Sequence, residues 1–360
     1  MNILTDWSMN WIAACKCMKR RIRQRGNAFP GGGGGLVVLL LLLLVAVSLF
    51  SFTVGRYAIS VADLTGYLFT GECADGQIPI LLVQVRMPRI LGAILVGGAL
   101  SVSGAAYQGL FRNPVVSPDM LGVSSGAGFG AALAILMSMS ITGIQVMAFS
   151  TGLFAVFLAL FAGRMASGHD RVLMLVLSGM ITGALFSALI ALMKYLADSE
   201  SKLPDITFWL MGSLSEVSMN ELKAVMPVVL LALIPLQLSS WKLNVLSLGE
   251  EEACTLGLNT QRMRLTVIGC ASLLTASVVS VAGLIGWVGL IVPHLARFLV
   301  GPNNRLLLPA SFLIGSSFLL LVDDLSRSLS PLEIPLGVLT SLIGAPVFFG
   351  ILRLSSKQAW

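Results

Sequence analysis

Few side chains in this sequence could do chemistry, and their spacing narrows the choice. Of the five cysteines, Cys15, Cys17, Cys73, Cys254 and Cys270, only the first two are close, at a C-x-C spacing with no second pair or histidine beside them. That pattern supports neither a metal site nor a disulfide framework. The two histidines are equally isolated. His169 lies in a charged turn, where solvation is its expected state, and His294 lies in V-P-H-L-A-R, where Pro293 removes a backbone donor and leaves the imidazole a local hydrogen-bonding role. No G-x-x-x-x-G-K-[ST] cradle for a nucleotide phosphate occurs. The densest charge is Glu250 to Glu252, three carboxylates in a row bracketed by Gly249 and Gly257, with Lys242, Arg262 and Arg264 outside them. Trp241 to Arg264 is thus a polar handle between two apolar stretches, and by its residues alone it reads as a solvated loop.

The elements that must position these residues are set by composition. With 56% hydrophobic and 11% charged residues and a mean hydropathy of +0.91, the chain is expected to be an all-α integral membrane protein. Its 360 residues leave room for about ten spans of roughly 20 residues each and no soluble domain of ordinary size. The net charge of +6 reflects basic residues at helix ends, as topology requires, and does not point to nucleic acid. Residues 1–35 form a basic tail with a glycine hinge, Gly31 to Gly35, followed by an apolar run too long for a signal peptide. Within the transmembrane domain, 36–354, the expected helices cover about 36–55, 90–111, 120–139, 143–165, 172–196, 222–239, 265–282, 283–300, 308–322 and 336–354. Residues 56–88 and 197–220 read as polar intervals, 240–264 as the handle and 355–360 as a tail.

Ten spans put both termini on one side, and the basic residues say which. Sixteen Lys and Arg fall on the side of the termini and handle against seven on the other, which places both termini and the handle in the cytoplasm. Lys194 and the Asp323, Asp324 pair lie near expected helix ends, where snorkelling costs little. Mid-membrane charge is otherwise nearly absent, which disfavours an ion-coupled secondary carrier. Small residues are dense in Gly97 to Ala106 and Gly122 to Ala132. They fit close helix packing in lipid. The sharper alternative is a translocation path or helix breaks, with Gly104, Gln108, Asn113, Pro114, Gly126, Gly289, Pro293 and Pro335 as candidates.

Six blocks, in order, carry a family resemblance: R-M-P-R-I from Arg86, G-G-A-L-S-V-S-G-A-A-Y-Q from Gly97, R-N-P-V-V-S-P-D-M-L-G-V-S-S-G-A from Arg112, G-L-I-G-W-V-G-L-I-V-P-H-L-A-R from Gly283, D-D-L-S-R from Asp323 and E-I-P-L-G-V-L-T-S-L-I-G-A-P-V-F from Glu333. From about residue 36 to the C-terminus the chain resembles the FecCD/BtuC-type permeases of ABC importers for iron-siderophore complexes, haem and cobalamin. The resemblance implies a ten-helix type II importer permease in the bacterial inner membrane, embedded in lipid and paired with a second copy or a paralogous permease. It implies two cytoplasmic ATPases, a periplasmic or lipoprotein binding protein, and no catalytic group or cofactor of this chain's own, since ATP acts in the partner subunit. Ferric siderophore is the implied cargo, with haem, cobalamin and molybdate or tungstate as alternatives; an ion-coupled carrier and a receptor without transport are the readings outside the family. In this family the handle forms two short helices that dock on the ATPase, here about Leu243 to Leu248 and Glu250 to Leu256, which assigns coupling to Leu248, Gly249, Glu250, Glu251, Ala253, Leu256 and Gly257. It also assigns capture of the binding protein to outward arginines, matched by Arg86, Arg89 and Arg327. The basic N-terminal extension and the run of three glutamates depart from the family pattern.

Overall fold

The computed structural model describes residues 33–55, 57, 59–70, 76–165, 171–330 and 332–355. The expected basic tail, the turn carrying His169 and the C-terminal tail lie outside them. Among the described residues there is no strand, and the helices run in order as α1 (Gly33–Ser51), α2 (Val61–Thr70), α3 (Ile78–Phe111), α4 (Val123–Leu136), α5 (Ile141–Met165), α6 (Arg171–Leu196), α7 (Lys202–Met211), α8 (Met219–Leu238), α9 (Ser240–Leu246), α10 (Glu250–Thr255), α11 (Thr260–Ala282), α12 (Val288–Val300), α13 (Asn304–Leu329) and α14 (Leu336–Ser355). Seven of them are long and apolar enough to cross a membrane, and α4, α12 and the apolar part of α14 are shorter apolar helices. Together they account for the ten spans expected from length and composition.

Local sequence explains most of the boundaries. A capping box starts α8, with the Ser218 hydroxyl accepting from Glu221 N–H and the Glu221 carboxylate accepting from Ser218 N–H. Asn259 and Asn303 cap α11 and α13 through their side-chain oxygens. Three expectations need correction. The interval 56–88 is not irregular throughout, because α2 lies within it and α3 begins at Ile78, so Arg86 and Arg89 sit inside a helix rather than ahead of one. Pro88 does not end that helix, since the chain reaches it through a π-helical segment, Leu81–Arg86, whose wider turn has no tight ladder for the proline ring to break. Residues 197–220 contain α7, and α13 extends beyond residue 322 to Leu329.

The bundle is organised around α3. Of its most apolar window 83% is buried, against 17% for α1 on the periphery. Its principal neighbours are α13, α11 and α12. Contact with α13 is backbone against backbone: a Cβ built on Gly97 would stand 2.3 Å from the Gly315 carbonyl oxygen, and Ser316 Oγ donates to the Ile94 carbonyl at 2.7 Å. On another face, a Cβ on Gly104 would lie 1.8 Å from the Gly289 carbonyl oxygen of α12. Lipid gives apolar helices no reason to associate by burial alone, so such close approach supplies the attraction. Gly104→Ala must force α3 and α12 apart and should destabilise the detergent-solubilised protein by about 1–3 kcal/mol. A melting temperature within error of the parent would show that this contact does not hold the bundle.

Candidate functional site

Two charged features lie at opposite ends of α13. The helix begins at Asn304 beside the handle and reaches Asp323 nineteen residues later, about 28 Å along its axis, close to the thickness of a hydrocarbon core of about 30 Å. At the far end Asp323 is fully buried between two guanidinium groups: Arg89 Nε donates to its Oδ1 and Oδ2 at 2.9 and 3.0 Å, and Arg327 Nε lies 3.1 Å from Oδ2. Arg327 also pairs with Asp324 and donates to Ser51 Oγ at 2.8 Å and to the Val54 carbonyl at 3.2 Å. Ser51 in turn donates to Asp324 Oδ1 at 2.6 Å. Arg86 donates to the carbonyls of Phe52 and Tyr57. Arg89 Nη1 reaches Glu333 Oε2 at 2.8 Å.

This arrangement corrects two expectations. Asp323 and Asp324 do not snorkel outward from a helix end but turn into the bundle. Arg86, Arg89 and Arg327 do not present free guanidinium groups to a partner, since all three are buried and engaged within the chain. The reason is electrostatic: with two fixed carboxylates already inside, desolvation is tolerable only where cations and hydrogen-bonding groups stand against them, although Asp324 Oδ2 and Arg327 Nε make no hydrogen bond. The paired D-D motif was the available sequence signal, as adjacent carboxylates on an apolar helix require cations nearby.

The handle at the other end is ordered. It contains the two short helices α9 and α10, joined through Gly249, whose φ of +148° disfavours any side chain. Gly257, at φ +79°, closes α10 in a Schellman motif: its N–H donates to the Cys254 carbonyl at 2.9 Å and Leu258 N–H to the Ala253 carbonyl at 3.0 Å. Arg264 of α11 pairs with Glu250. Asn244 of α9 receives bonds from Asn304 N–H and Nδ2, both at 2.8 Å, and donates to Asn303 Oδ1 at 2.8 Å. The handle is therefore fastened to α11 and α13. Leu248 and Leu256 are 64% and 62% exposed, while Ala253 is fully buried. Ala253 consequently packs within the chain and is corrected from a partner contact to a support for α10; Glu251 stays on the exposed side.

The residues expected along a path are mostly elsewhere. Gly104, Gly126 and Gly289 are points of close helix contact, Gly126 against Thr151 and Ala155 of α5. Gln108 is buried, its Nε2 donating to the Leu290 carbonyl at 3.2 Å. Asn113 and Pro114 form the turn after α3, where Asn113 Oδ1 accepts from Val115 N–H at 3.0 Å. Pro293 is buried in α12 and Pro335 precedes α14. One open groove, near 450 Å³, lies among Leu210, Met211, Leu284, Gly286, Gly337 and Ser341 with no charged side chain in its lining, and a second of about 440 Å³ is lined in part by Lys202, Asp205, Glu216 and Glu221. Nothing in the sequence marks these apolar positions as different from the rest of the bundle. His294 is buried edge-on to Phe348, with the Leu290 backbone one turn earlier as its local polar neighbour. Among the described residues no three His, Cys, Asp or Glu side chains gather to hold a metal ion.

A bundle of some ten apolar helices with a two-helix handle on one end defines a transporter subunit rather than a soluble enzyme. The FecCD transport family matches residues 41–354. The molybdate import system permease protein MolB of Haemophilus influenzae is 46% identical over 318 residues, covering 87% of this chain and 94% of that protein. An iron chelatin transport system permease of Helicobacter pylori is 40% identical over 276 residues, 77% of this chain and 83% of its own length. A solved metal-chelate type ABC transporter in an inward-facing conformation superposes with a TM-score of 0.82 at 42% identity, covering 89% of this chain and 99% of that one. The chain belongs to the FecCD transport family and is an ABC-importer permease, a multi-pass membrane protein.

The buried cluster should be a structural unit. Asp323→Ala strands two arginines and should cost about 3–5 kcal/mol in denaturant unfolding, whereas Ser51→Ala, which removes one hydroxyl, should cost about 1 kcal/mol. Equal small losses from both would show that the cluster contributes no such stability.

Proposed function

We propose that this chain is the permease half of an ATP-driven importer that pairs with a second permease, receives cargo from a binding protein and is driven through its handle by a cytoplasmic ATPase. The carrying observation is the handle: Leu248 and Leu256 expose apolar side chains on an otherwise polar, capped and ion-paired segment, which suits insertion into a groove of another protein. The excess of basic residues on the handle's side supports a cytoplasmic location, and hence both termini inside and the Asp323 cluster outside. The chain contributes no phosphate cradle, so nucleotide chemistry belongs to the partner. Force on α9 and α10 is transmitted to α13 through Asn244 and to α11 through Arg264.

For the cargo, greater similarity to the molybdate permease than to the iron chelatin permease, over a longer stretch, favours an oxometalate such as molybdate. Ferric siderophore, implied by the general resemblance, is the second reading, supported by the 40% identical iron chelatin relative. The uncharged groove fits passage without tight binding in either case.

Liposomes holding the permease with its ATPase, given binding protein and ATP, should accumulate molybdate in competition with tungstate and ignore ferric siderophore. Uptake of the ferric chelate alone would select the second reading, and uptake that survives ATP depletion would overturn the importer reading. Leu248→Asp with Leu256→Asp should each cost about 2 kcal/mol or more of ATPase affinity if they are central anchors. Gly257→Val, strained at its positive φ by about 1–3 kcal/mol, should lower uptake while leaving binding-protein affinity unchanged. Unaltered coupling in all three variants would remove the handle from the mechanism.

A further inference from the structure

The break between α11 and α12 contains a residue in an unfavourable backbone conformation. Trp287 lies at φ +69° and ψ −32°, a region that bulky side chains rarely enter. Val288 N–H donates to the Gly286 carbonyl at 2.9 Å, which closes a three-residue turn of the strained kind about Trp287. Such a conformation persists only where its surroundings fix it, and it gathers where a chain has to switch. Two sets of contacts fix it here. The Trp287 carbonyl accepts from Leu290 and Ile291 N–H at 3.0 and 2.9 Å, which starts α12. The side chain rests on α14: a Cβ on Gly344 would stand 2.9 Å from Trp287 Cβ, and the indole meets Phe348 edge-on with ring centroids 6.2 Å apart.

Gly337, Ser341, Gly344 and Phe348 recur at steps of three and four residues, hence on one face of α14. The first two line the uncharged groove together with Gly286, the neighbour of Trp287, and the last two carry the Trp287 side chain. Since α14 starts beside the Asp323 cluster and runs toward the handle's end, the groove ends on that side at the half-exposed indole. Pro346 falls between the two contacts and removes a donor from the α14 ladder, and Pro293 does the same in α12.

We propose that Trp287 and Phe348 form the constriction that closes the groove toward the handle, and that the strained turn gives it two states. While α14 stays against α12 the indole is held across the route; separation of the two helices removes what fixes the turn and lets the ring swing clear. An apolar ring pair stops an ion without binding it, because passage strips the ion of its water. The inference rests on the importer reading above, which supplies the route but not the residue that closes it.

Sealed liposomes loaded with labelled molybdate and holding the permease–ATPase complex without nucleotide report how tight the constriction is. Molybdate is smaller than a ferric chelate, so its leak reads the constriction whichever cargo is carried. Trp287→Gly and Phe348→Ala, on different helices, should each raise efflux about fivefold or more, and Trp287→Phe, which keeps a ring over Phe348, should restore tightness. Efflux at the parent's level from both variants, in complexes that retain their ATPase, overturns the constriction. The strain has its own readout in detergent: Trp287→Gly should melt about 2–4 °C above Trp287→Ala, because glycine alone accepts the positive φ freely. The ordinary order, alanine above glycine, overturns the strained turn. A parent complex that accumulates neither molybdate nor ferric chelate with ATP and binding protein overturns the importer reading instead, and the leak comparison stands apart from it.

Discussion

The contact on which this structure depends is the backbone-to-backbone crossing of α3 and α13 at Gly97 and Gly315. In lipid, association has to come from van der Waals fit and interhelical hydrogen bonds, and both need the axes close together. Bringing α13 against α3 also fixes where its two ends lie. One end meets Asn244 of the handle, and the other inserts Asp323 between Arg89 and Arg327. α3 makes the same connection, carrying Arg86 and Arg89 at one end and packing against α9 of the handle at the other, so the crossing joins two elements that each touch both charged features.

Long apolar spans were legible in the sequence because no soluble architecture tolerates so many uncharged residues in succession, and Gly249 and Gly257 marked the breaks of the handle because their backbone angles suit nothing else. The orientation of the charged residues was less legible. Hydrophobicity on all sides of a helix gives no period from which to assign a buried face, so Arg86 and Arg89 read as outward arginines although both are buried, Arg86 as the last residue of the π-helical segment. Pro88 compounded the difficulty, since it signals a helix start but here lies well inside one. Ala253 belonged to a motif whose neighbours point outward, yet a short helix resting on α11 must bury one side.

The groove illustrates a different limit. Leu210, Met211 and Leu284 line it in company with Gly286, Gly337 and Ser341, and none of these types differs from those that pack the core. Gly104 and Gly126, by contrast, serve the close helix packing that such dense small residues lead one to expect.

The fastening of the handle has a geometric consequence. Because Asn244 clamps α9 to the first residues of α13, the helix behaves as a stiff rod pivoting at its crossing with α3. A tilt of about 5° about that crossing, at Gly315, moves Asp323, roughly 12 Å farther along the axis, by about 1 Å. Hydrogen bonds of 2.6 to 3.0 Å that join α13 to α1 and α3, from Ser51 to Asp324 and from Arg89 to Asp323, do not survive a displacement of that size. A rotation too small to disturb the packing of side chains midway along the rod is thus large enough at its tip to make or break a charged contact, so leverage rather than wholesale repacking suffices to let one end of the protein register what happens at the other.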